Sequence, residues 1–260
     1  MREILITNDD SYTSKGIKVI TKLLAEWGNV TVVAPKEPQS GKSVSVTLSA
    51  PIRFNLLETY NHSNGNRITI YTVTGTPSDC VKMAMNDLYT TSLPDVLVSG
   101  INHGSNASSG ALYSGTLGAA IEGTLYNIPS IGVSMDDHSA DADFSAVEKI
   151  FPQILEKYFK TKLEDNVYLN INFPKCKFDD IKGIRICRQG KGRWTKEFER
   201  RIDPHGKPYY WMSGEFINTD QESSDADHIL LENNYVTIVP HKIDTTDYNT
   251  KKLLEETWIF

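Results

Sequence analysis

The sequence predicts an α/β protein whose mostly parallel sheet is covered by helices on both faces. Apolar runs rich in β-branched residues alternate with helical patterns over the first two thirds of the chain, which is the signature of repeated β-α-β units. These apolar runs are short and continuous, and strands of that kind are buried on both sides. A doubly wound, open sheet follows from these two observations.

The predicted elements follow one another in a regular order. The first unit is a strand over 4–6, a helix over 17–27 and a strand over 30–33, and a strand-rich interlude occupies 44–73. The alternation resumes with a helix over 80–88, a strand over 95–98, a helix over 117–126, a strand over 131–133, a helix over 144–158 and a strand over 167–171. We assign these segments to a core domain, 1–188.

The amino-acid composition of the chain changes at residue 189. Aromatic and basic residues crowd around Asp203-Pro204 and Gly206, which indicates a β-hairpin arm that projects from the core as far as residue 218. A short helix over 226–231, a strand over 235–239 and a helix over 251–256 complete this C-terminal extension, 189–260. Because aromatic-rich arms often pack on another subunit, we expect a homo-oligomer.

Composition and charge favour small-molecule chemistry. The chain has 260 residues with 39% hydrophobic and 23% charged content, which is enough for one full core. A formal net charge of -6 offers no basis for binding a nucleic-acid polymer or a membrane surface, since both need concentrated positive charge.

The cysteines and the N-terminal residues indicate a cytoplasmic protein. Cys80, Cys176 and Cys187 are scattered and odd in number, unlike the closely spaced pairs of a zinc site or a disulfide framework. The chain enters its first strand without a basic and then apolar signal segment, and no run approaches the roughly 20 apolar residues of a membrane span.

Polar side chains follow three of the predicted strands at the edge where open parallel sheets bind ligands. Asp9 and Asp10 come after the first strand, Ser40 after the second, and Asn102 after the strand at residue 95. Adjacent carboxylates at the end of a buried strand repel each other, and a cation is the simplest compensation. Carboxylate, hydroxyl and amide oxygens form a hard set that suits Mg²⁺, Mn²⁺ or Ca²⁺.

A competing interpretation makes one aspartate the cap of the helix that begins near Lys15, or a residue that shapes the turn. For both carboxylates to reach one ion, the strand must end early and a turn must begin near Asn8.

Two further segments are candidates for binding phosphate. Ser114, Gly115 and Thr116 stand at the start of a predicted helix, where free N–H groups and the helix dipole attract anions, and Gly41 and Ser43 lie beside Ser40. Ordinary capping and close packing remain the alternative for both. Neither segment matches the Gly-x4-Gly-Lys-Ser/Thr loop, and no Gly-x-Gly-x-x-Gly follows the first strand. Among the histidines, His103 is next to the predicted site.

The order and spacing of these motifs resemble the SurE (survival protein E) family of metal-dependent nucleotidases over nearly the whole chain. The matching stretches are Ile4-Leu5-Ile6-Thr7-Asn8-Asp9-Asp10, Ala34-Pro35 with Ser40-Gly41, Gly75-Thr76-Pro77-Ser78-Asp79-Cys80-Val81, Val98-Ser99-Gly100-Ile101-Asn102 with Gly104 and Asn106, Tyr113-Ser114-Gly115-Thr116 with Gly118-Ala119-Ala120, Asp203-Pro204 with Tyr209-Tyr210-Trp211, and Ser224-Asp225-Ala226-Asp227.

The resemblance implies a Rossmann-like core, a swapped arm and C-terminal segment that build dimers or tetramers, and phosphatase activity on nucleoside 5′- and 3′-monophosphates. Some members also cleave short polyphosphate. Transferred position by position, the family's ligands for one divalent ion per subunit fall on Asp9, Asp10, Ser40 and Asn102. The chain departs from the family at Ser11, where a glycine is usual, and in the loop 107–111, which is less acidic.

The mechanistic hypothesis is hydrolysis by a metal-activated water in line with the leaving ribose oxygen. Asp9, Asp10 and Asn102 are the predicted catalytic residues, with Asp9 orienting or deprotonating the water. Gly41, Ser43, Asn106, Ser114, Gly115 and Thr116 are the predicted phosphate-binding residues. Two rival hypotheses are an aspartyl-phosphate phosphatase, which usually carries Asp-x-Asp instead of adjacent aspartates, and a module that binds metal and nucleotide without hydrolysis.

Overall fold

The computed structural model describes residues 1–220 and 225–258. In these residues the strands are β1 (Arg2–Thr7), β2 (Gly28–Pro35), β3 (Phe54–Asn61), β4 (Arg67–Val73), β5 (Val96–His103), β6 (Ser130–Met135), β7 (Val167–Phe173), β8 (Gly183–Ile186), β9 (Gly192–Thr195), β10 (Phe198–Ile202), β11 (Pro208–Met212), β12 (Glu215–Asn218) and β13 (Tyr235–Lys242). The α-helices are α1 (Lys15–Leu24), α2 (Pro77–Met83), α3 (Gly115–Leu125), α4 (Ser145–Lys160), α5 (Asp227–Glu232) and α6 (Tyr248–Thr257). Ser224 of the last matching stretch lies outside the described residues.

The main sheet has nine strands in the order β3-β4-β2-β1-β5-β6-β7-β13-β8. The six central strands from β4 to β7 are parallel, while β3 is antiparallel to β4 and β13 is antiparallel to β7. The chain runs outward from β1 to β2 and then returns to β5 on the other side of β1. The gap between β1 and β5 is therefore the topological switch point, where ligands bind in sheets of this kind.

Helices cover both faces, which confirms the predicted fold class. Alternate residues of β1 enter different cores: Ile4 and Ile6 pack with residues of α1 and α4, and Leu5 packs with residues of α2 and α3. Because all three side chains are 0% exposed, the strand needs apolar residues at consecutive positions. This is why its sequence is a continuous apolar run.

Side-chain caps begin the helices next to the predicted site. Ser14 is the cap of α1 and accepts a hydrogen bond from the backbone N–H of Ile17, so neither strand-end aspartate has that role. Thr76 caps α2 in a capping box with Asp79, whose carboxylate accepts from the Thr76 N–H. The helix predicted over 80–88 thus begins three residues earlier, at Pro77, with Thr76 as the capping residue.

Several boundaries differ from the sequence prediction. The helix expected over 80–88 is α-helical only to Met83 and continues as a π-helical turn over Ala84–Leu88. The strand expected over 95–98 runs on to His103 through an irregularity between Ser99 and Asn102, so Asn102 lies inside β5 rather than after it. Of the interlude 44–73, the strands β3 and β4 occupy only the part from Phe54 onward.

The predicted arm is a long double-stranded excursion with four strands. β9 pairs with β12 at its base and β10 pairs with β11 beyond, with the Asp203–Lys207 turn at its end. From the same C-terminal extension, β13 returns to the main sheet and lies between β7 and β8. The division of the chain at residue 188 stays a prediction. No helix in the described ranges is long and apolar enough to cross a membrane.

Gly16 in α1 lies where the helix approaches β5 most closely. A Cβ at this position would stand 2.0 Å from the carbonyl oxygen of Ile101. We predict that Gly16→Ala lowers the free energy of unfolding by about 2 kcal/mol, because overpacking outweighs the ~1 kcal/mol helix preference for alanine. Urea denaturation measures the change.

Gly110→Ala is the matched control for this substitution. Its Cβ would have nothing nearer than the Ser105 oxygen at 3.9 Å, so stability should stay within about 0.5 kcal/mol of the unaltered protein. A Gly16→Ala variant that equals or exceeds the unaltered protein in stability would show that α1 and β5 are not packed as described.

Candidate metal and phosphate site

The two strand-end aspartates stand on a turn that begins directly after β1. The Asn8 amide Nδ2 donates to the Ser11 carbonyl oxygen at 2.9 Å and to Ser14 Oγ at 3.0 Å, which closes the turn against the cap of α1. Because β1 ends at Thr7, Asp9 and Asp10 are released from the alternation of a strand. The early end that the sequence analysis required is therefore present.

Asp9 is buried against the first turn of α3. The Thr116 hydroxyl donates to Asp9 Oδ1 at 2.5 Å. A Cβ on Gly115 would stand 2.9 Å from the Cβ of Asp9, so only glycine allows this approach. On its other side the Asp9 carbonyl accepts from the Gln39 N–H at 2.7 Å, which brings the loop that carries Ser40 to the same place.

Asp10 joins the turn to the end of β5. The backbone N–H of His103 donates to Asp10 Oδ2 at 2.9 Å, and Asn102 precedes it in β5. The Asn102 amide Nδ2 donates to the Gly104 carbonyl at 2.7 Å. Its amide oxygen is the atom that this bond leaves for a ligand, and the residue as a whole is 9% exposed.

The irregularity in β5 depends on a glycine. Gly100 has φ +137°, and a Cβ there would stand 2.2 Å from the Val133 carbonyl oxygen of β6. No L-residue with a side chain fits that conformation and that contact together. The resulting shift of register displaces Asn102 relative to β6, at the same sheet edge as the aspartates.

Burial raises the pKa values of both carboxyl groups. Burial, followed by the nearby charge of Asp10, raises the pKa of Asp9 from 3.8 to about 6, although hydrogen bonds from Thr116 oppose the rise. Burial also raises the pKa of Asp10, and the N–H of His103 with the His103 and His138 rings opposes it. Among the described residues, no lysine or arginine is a cause that lowers either pKa.

This arrangement fits a hard divalent cation. The buried carboxylate of Asp9 and the half-buried one of Asp10 have raised pKa values, and no lysine or arginine among the described residues lowers them. Asn102 at the end of β5 adds an amide oxygen, and the loop of Ser40 is held to the Asp9 carbonyl through the Gln39 N–H. In the described ranges no group of three or more His, Cys, Asp and Glu side chains could hold a metal ion, so sulfur- and imidazole-rich sites are absent there. Asp9, Asp10, Ser40 and Asn102 stay the predicted ligands.

The hydroxyls predicted to bind phosphate have partners within the protein. Ser114 Oγ caps α3 by accepting from the Leu117 N–H at 3.1 Å, and Thr116 is bound to Asp9. Ser43 donates through Oγ to the Leu112 carbonyl at 2.8 Å and through N–H to the Tyr113 carbonyl at 3.1 Å. Their role toward phosphate stays a prediction, with backbone N–H groups at the start of α3 as further donors.

Asn106 and Gly41, two of the predicted phosphate-binding residues, lie outside the hydrogen bonds described for the two aspartates. The Asn106 amide Nδ2 donates to Ser134 Oγ at 2.7 Å, and Gly41 has φ +74° with open space around its Cα. Within the described part of the chain, neither residue is hydrogen-bonded to Asp9 or Asp10. His103 Nδ1 pairs with the Ser139 carbonyl at 2.8 Å, and its ring packs edge-on against Phe144.

The sequence analysis missed three buried polar residues beneath this edge: Ser134, Asn170 and Asn172. All three bond to Asn106 or to one another. A signal was present, because two asparagines stand two positions apart in an apolar run and therefore on one face of a strand predicted to be buried.

Comparisons with known proteins agree with one another. The family model described as Survival protein SurE matches residues 4–196. The chain is 41% identical over 251 residues to the 5'-nucleotidase SurE of Flavobacterium psychrophilum, covering 96% of this chain and 95% of that one. It is 42% identical over 249 residues to the 5'-nucleotidase SurE of Christiangramia forsetii, with coverage of 95% and 93%. The crystal structure of a SurE protein from Aquifex aeolicus superposes with a TM-score of 0.80 at 32% identity, covering 98% of each chain.

The raised pKa of Asp9 predicts a gain in stability when its charge is removed from the metal-free protein. A carboxyl group whose pKa rises from 3.8 to about 6 on folding stabilises the folded state fully below pH 3.8. This stabilisation is lost as the pH rises through about 6. Asp9→Asn keeps an oxygen that accepts from Thr116. In EDTA at pH 7.5 we expect its free energy of unfolding to exceed that of the unaltered protein by about 1–3 kcal/mol.

Chemical denaturation in EDTA at pH 4 and pH 7.5 measures this effect. The gain in stability of Asp9→Asn should shrink toward pH 4. The control Asp87→Asn, which removes the charge of an exposed aspartate elsewhere, should show no comparable gain at either pH. An Asp9→Asn variant that is less stable at pH 7.5 would contradict the assignment of uncompensated charge to this turn.

Ser11 adopts a left-handed backbone conformation with φ +80°, at the position where the SurE family usually has glycine. Its Oγ donates to the Lys36 carbonyl at 3.0 Å, which offsets part of the cost of that conformation. Ser11→Ala removes the hydrogen bond to Lys36 but keeps the energetic cost of the left-handed conformation. Ser11→Gly removes both the hydrogen bond and that cost. We predict that Ser11→Gly is more stable than Ser11→Ala by about 1 kcal/mol in urea denaturation, and equal stabilities would argue against strain at this residue.

Proposed function

Because the chain belongs to the SurE family, we propose that it is a divalent-metal-dependent phosphatase that hydrolyses nucleoside 5′-monophosphates to nucleoside and phosphate. Its relatives carry the name 5'-nucleotidase, and nucleoside 3′-monophosphates are second candidate substrates. The observation that carries the proposal is the Asp9–Asp10 pair at the switch point, whose pKa values are raised and are not lowered by any lysine or arginine among the described residues. A negatively charged substrate binds such a pair only when a cation intervenes.

One divalent ion per subunit, Mg²⁺, Mn²⁺ or Ca²⁺, would be held by Asp9, Asp10, Ser40 and Asn102. When bound, such an ion supplies Lewis-acid activation of a phosphate oxygen and of a water. The donor chemistry supports this choice, because oxygen ligands from carboxylates, a hydroxyl and an amide suit these three ions.

The protein's own groups would orient the water and hold the phosphate. Asp9, with a pKa of about 6, is suited to accept a proton near neutral pH, and the Thr116 hydroxyl holds its carboxylate in one orientation. Backbone N–H groups near Gly41, Ser43 and Gly115 would bind the equatorial oxygens as charge moves toward the leaving oxygen. Asn106 would contribute an amide to the same cradle, with the Ser114 and Thr116 hydroxyls close by.

Assembly into a homodimer or homotetramer is the second part of the proposal. Tyr210 and Trp211 of the arm are 56% and 58% exposed, and α6 has no buried residue. Large aromatic side chains and a helix without a packed face leave apolar surface that contact with another subunit would cover.

Phosphate release from a panel of 5′- and 3′-nucleoside monophosphates tests the activity. We expect no release by protein treated with EDTA and recovery when Mg²⁺, Mn²⁺ or Ca²⁺ is added. Asp9→Asn and Asn102→Ala should lower kcat by about a hundredfold or more at saturating metal, because each removes a ligand oxygen from the ion.

Asn55→Ala, on the exposed edge strand β3, is the matched control and should keep the activity of the unaltered protein. Near-normal kcat in both site variants would refute the site. Metal-dependent nucleotide binding without any phosphate release would favour a binding module instead of an enzyme.

A further inference from the structure

A cluster of buried polar side chains lies beneath the loop that follows β5. Ser134 on β6 and Asn170 and Asn172 on β7 are all 0% exposed. A buried polar group without a partner costs about 1–3 kcal/mol, so such residues need specific hydrogen bonds. Their bonds converge on one residue of the loop, Asn106.

Asn106 is held at three of its polar atoms. Its backbone N–H donates to Asn172 Oδ1 at 2.7 Å, and its carbonyl accepts from Asn170 Nδ2 at 2.9 Å. Its side-chain Nδ2 pairs with Ser134 Oγ at 2.7 Å. Asn172 Nδ2 also donates to Asn170 Oδ1 at 3.0 Å, which connects the two strand residues. One amide atom of Asn106 is left over from these bonds.

The sheet register explains how the three buried polar residues of β6 and β7 all lie close to Asn106. Ser134 pairs with Asn172 across β6 and β7, and Gly132 pairs with Asn170, so the polar side chains share one face. The opposite face of β7 carries Leu169, Ile171 and Phe173, which belong to the apolar core. The buried asparagines of β7 therefore occur only on the face of the strand that contacts the loop.

Thr237 provides an internal comparison. It is the partner of Asn172 on β13, is 0% exposed, and its hydroxyl has no hydrogen-bond partner in the described part of the chain. The same face of the sheet therefore contains, beside the asparagines, a buried hydroxyl that makes no hydrogen bond within the described residues. By contrast, the hydroxyl and amides of Ser134, Asn170 and Asn172 all join the network around Asn106.

We propose that Ser134, Asn170 and Asn172 are positioning residues that act through Asn106 and align it for binding the phosphate of the substrate. The inference rests on the proposed nucleotidase function and deepens it, because it explains how a residue on a loop is held rigidly enough for binding. A displacement of about 1 Å in such a group can cost about a hundredfold in rate.

Ser134→Thr and Ser134→Val form the sharpest pair of variants, because they match in shape and differ in the hydroxyl. We expect Ser134→Val to lower kcat/KM for the preferred nucleotide about tenfold relative to Ser134→Thr, chiefly by raising KM. Inorganic phosphate, used as a competitive inhibitor, should show a parallel rise in its inhibition constant. Asn172→Val should lower kcat/KM by ten- to a hundredfold, and Thr237→Val should leave it unchanged.

Two further measurements separate positioning from damage to the fold. The rise in melting temperature on adding Mn²⁺ should be the same in Ser134→Val as in Ser134→Thr, because Asn106 is not a proposed metal ligand. In the Asn106→Ala background, Ser134→Val should change kcat/KM by less than about twofold relative to Ser134→Thr, since its partner side chain is gone.

Equal kcat/KM for the two Ser134 variants, or an undiminished Ser134→Val effect in the Asn106→Ala background, would overturn the inference while the unaltered protein still turns over nucleotides. Loss of the Mn²⁺ response in Ser134→Val would also overturn it, in favour of a general role in the fold. A lack of turnover by the unaltered protein on every substrate and metal would instead refute the proposed function itself.

Discussion

The placement of two adjacent carboxylates in a buried turn is the constraint on which the functional edge of this protein depends. Burial raises the pKa values of Asp9 and Asp10, and the charge of Asp10 adds to the rise at Asp9, so the turn is unfavourable unless its neighbours compensate. Compensation comes from the first turn of α3 through Thr116 and from the backbone N–H of His103. Both are local dipoles, and neither neutralises the charge. The fold thus creates a position that favours a cation.

Close backbone contacts then determine where the remaining site residues lie. The loop of Ser43 passes so near α3 that a Cβ on Gly118 would stand 2.1 Å from the Ser43 carbonyl oxygen. Gly16 and Gly100 have equally short approaches to Ile101 and to Val133. The contacts between the Ser43 loop and α3, between α1 and β5, and between β5 and β6 therefore leave no space for a side chain. Glycines at these points hold the Ser43 loop against α3, and they hold the end of β5, which carries Asn102, against α1 and β6.

Local patterns in the sequence were sufficient for the alternation of strands and helices in the core, and for the position of the two aspartates after β1. The turn after β1 was predictable because Asp9 and Asp10 directly follow an apolar run. The continuation of β5 past its irregularity was not, since it depends on contact between Gly100 and Val133. The same reason applies to β13, whose place between β7 and β8 is decided by pairing with distant segments. Asn170 and Asn172 were visible as a polar pair, but their partner Asn106 is 64 and 66 residues away.

The C-terminal extension contributes to the candidate site as well as carrying exposed surface. Ser108, in the loop after Asn106, has φ +52°, and its N–H donates to both carboxylate oxygens of Asp227 at 3.0 and 3.1 Å. The same carboxylate accepts from the Gly190 N–H at 2.8 Å, at the base of the arm. The loop is therefore anchored by β6 and β7 on one side and by residues beyond 188 on the other. Asp227 therefore connects the base of the arm directly to Ser108, which is two residues along the backbone from Asn106.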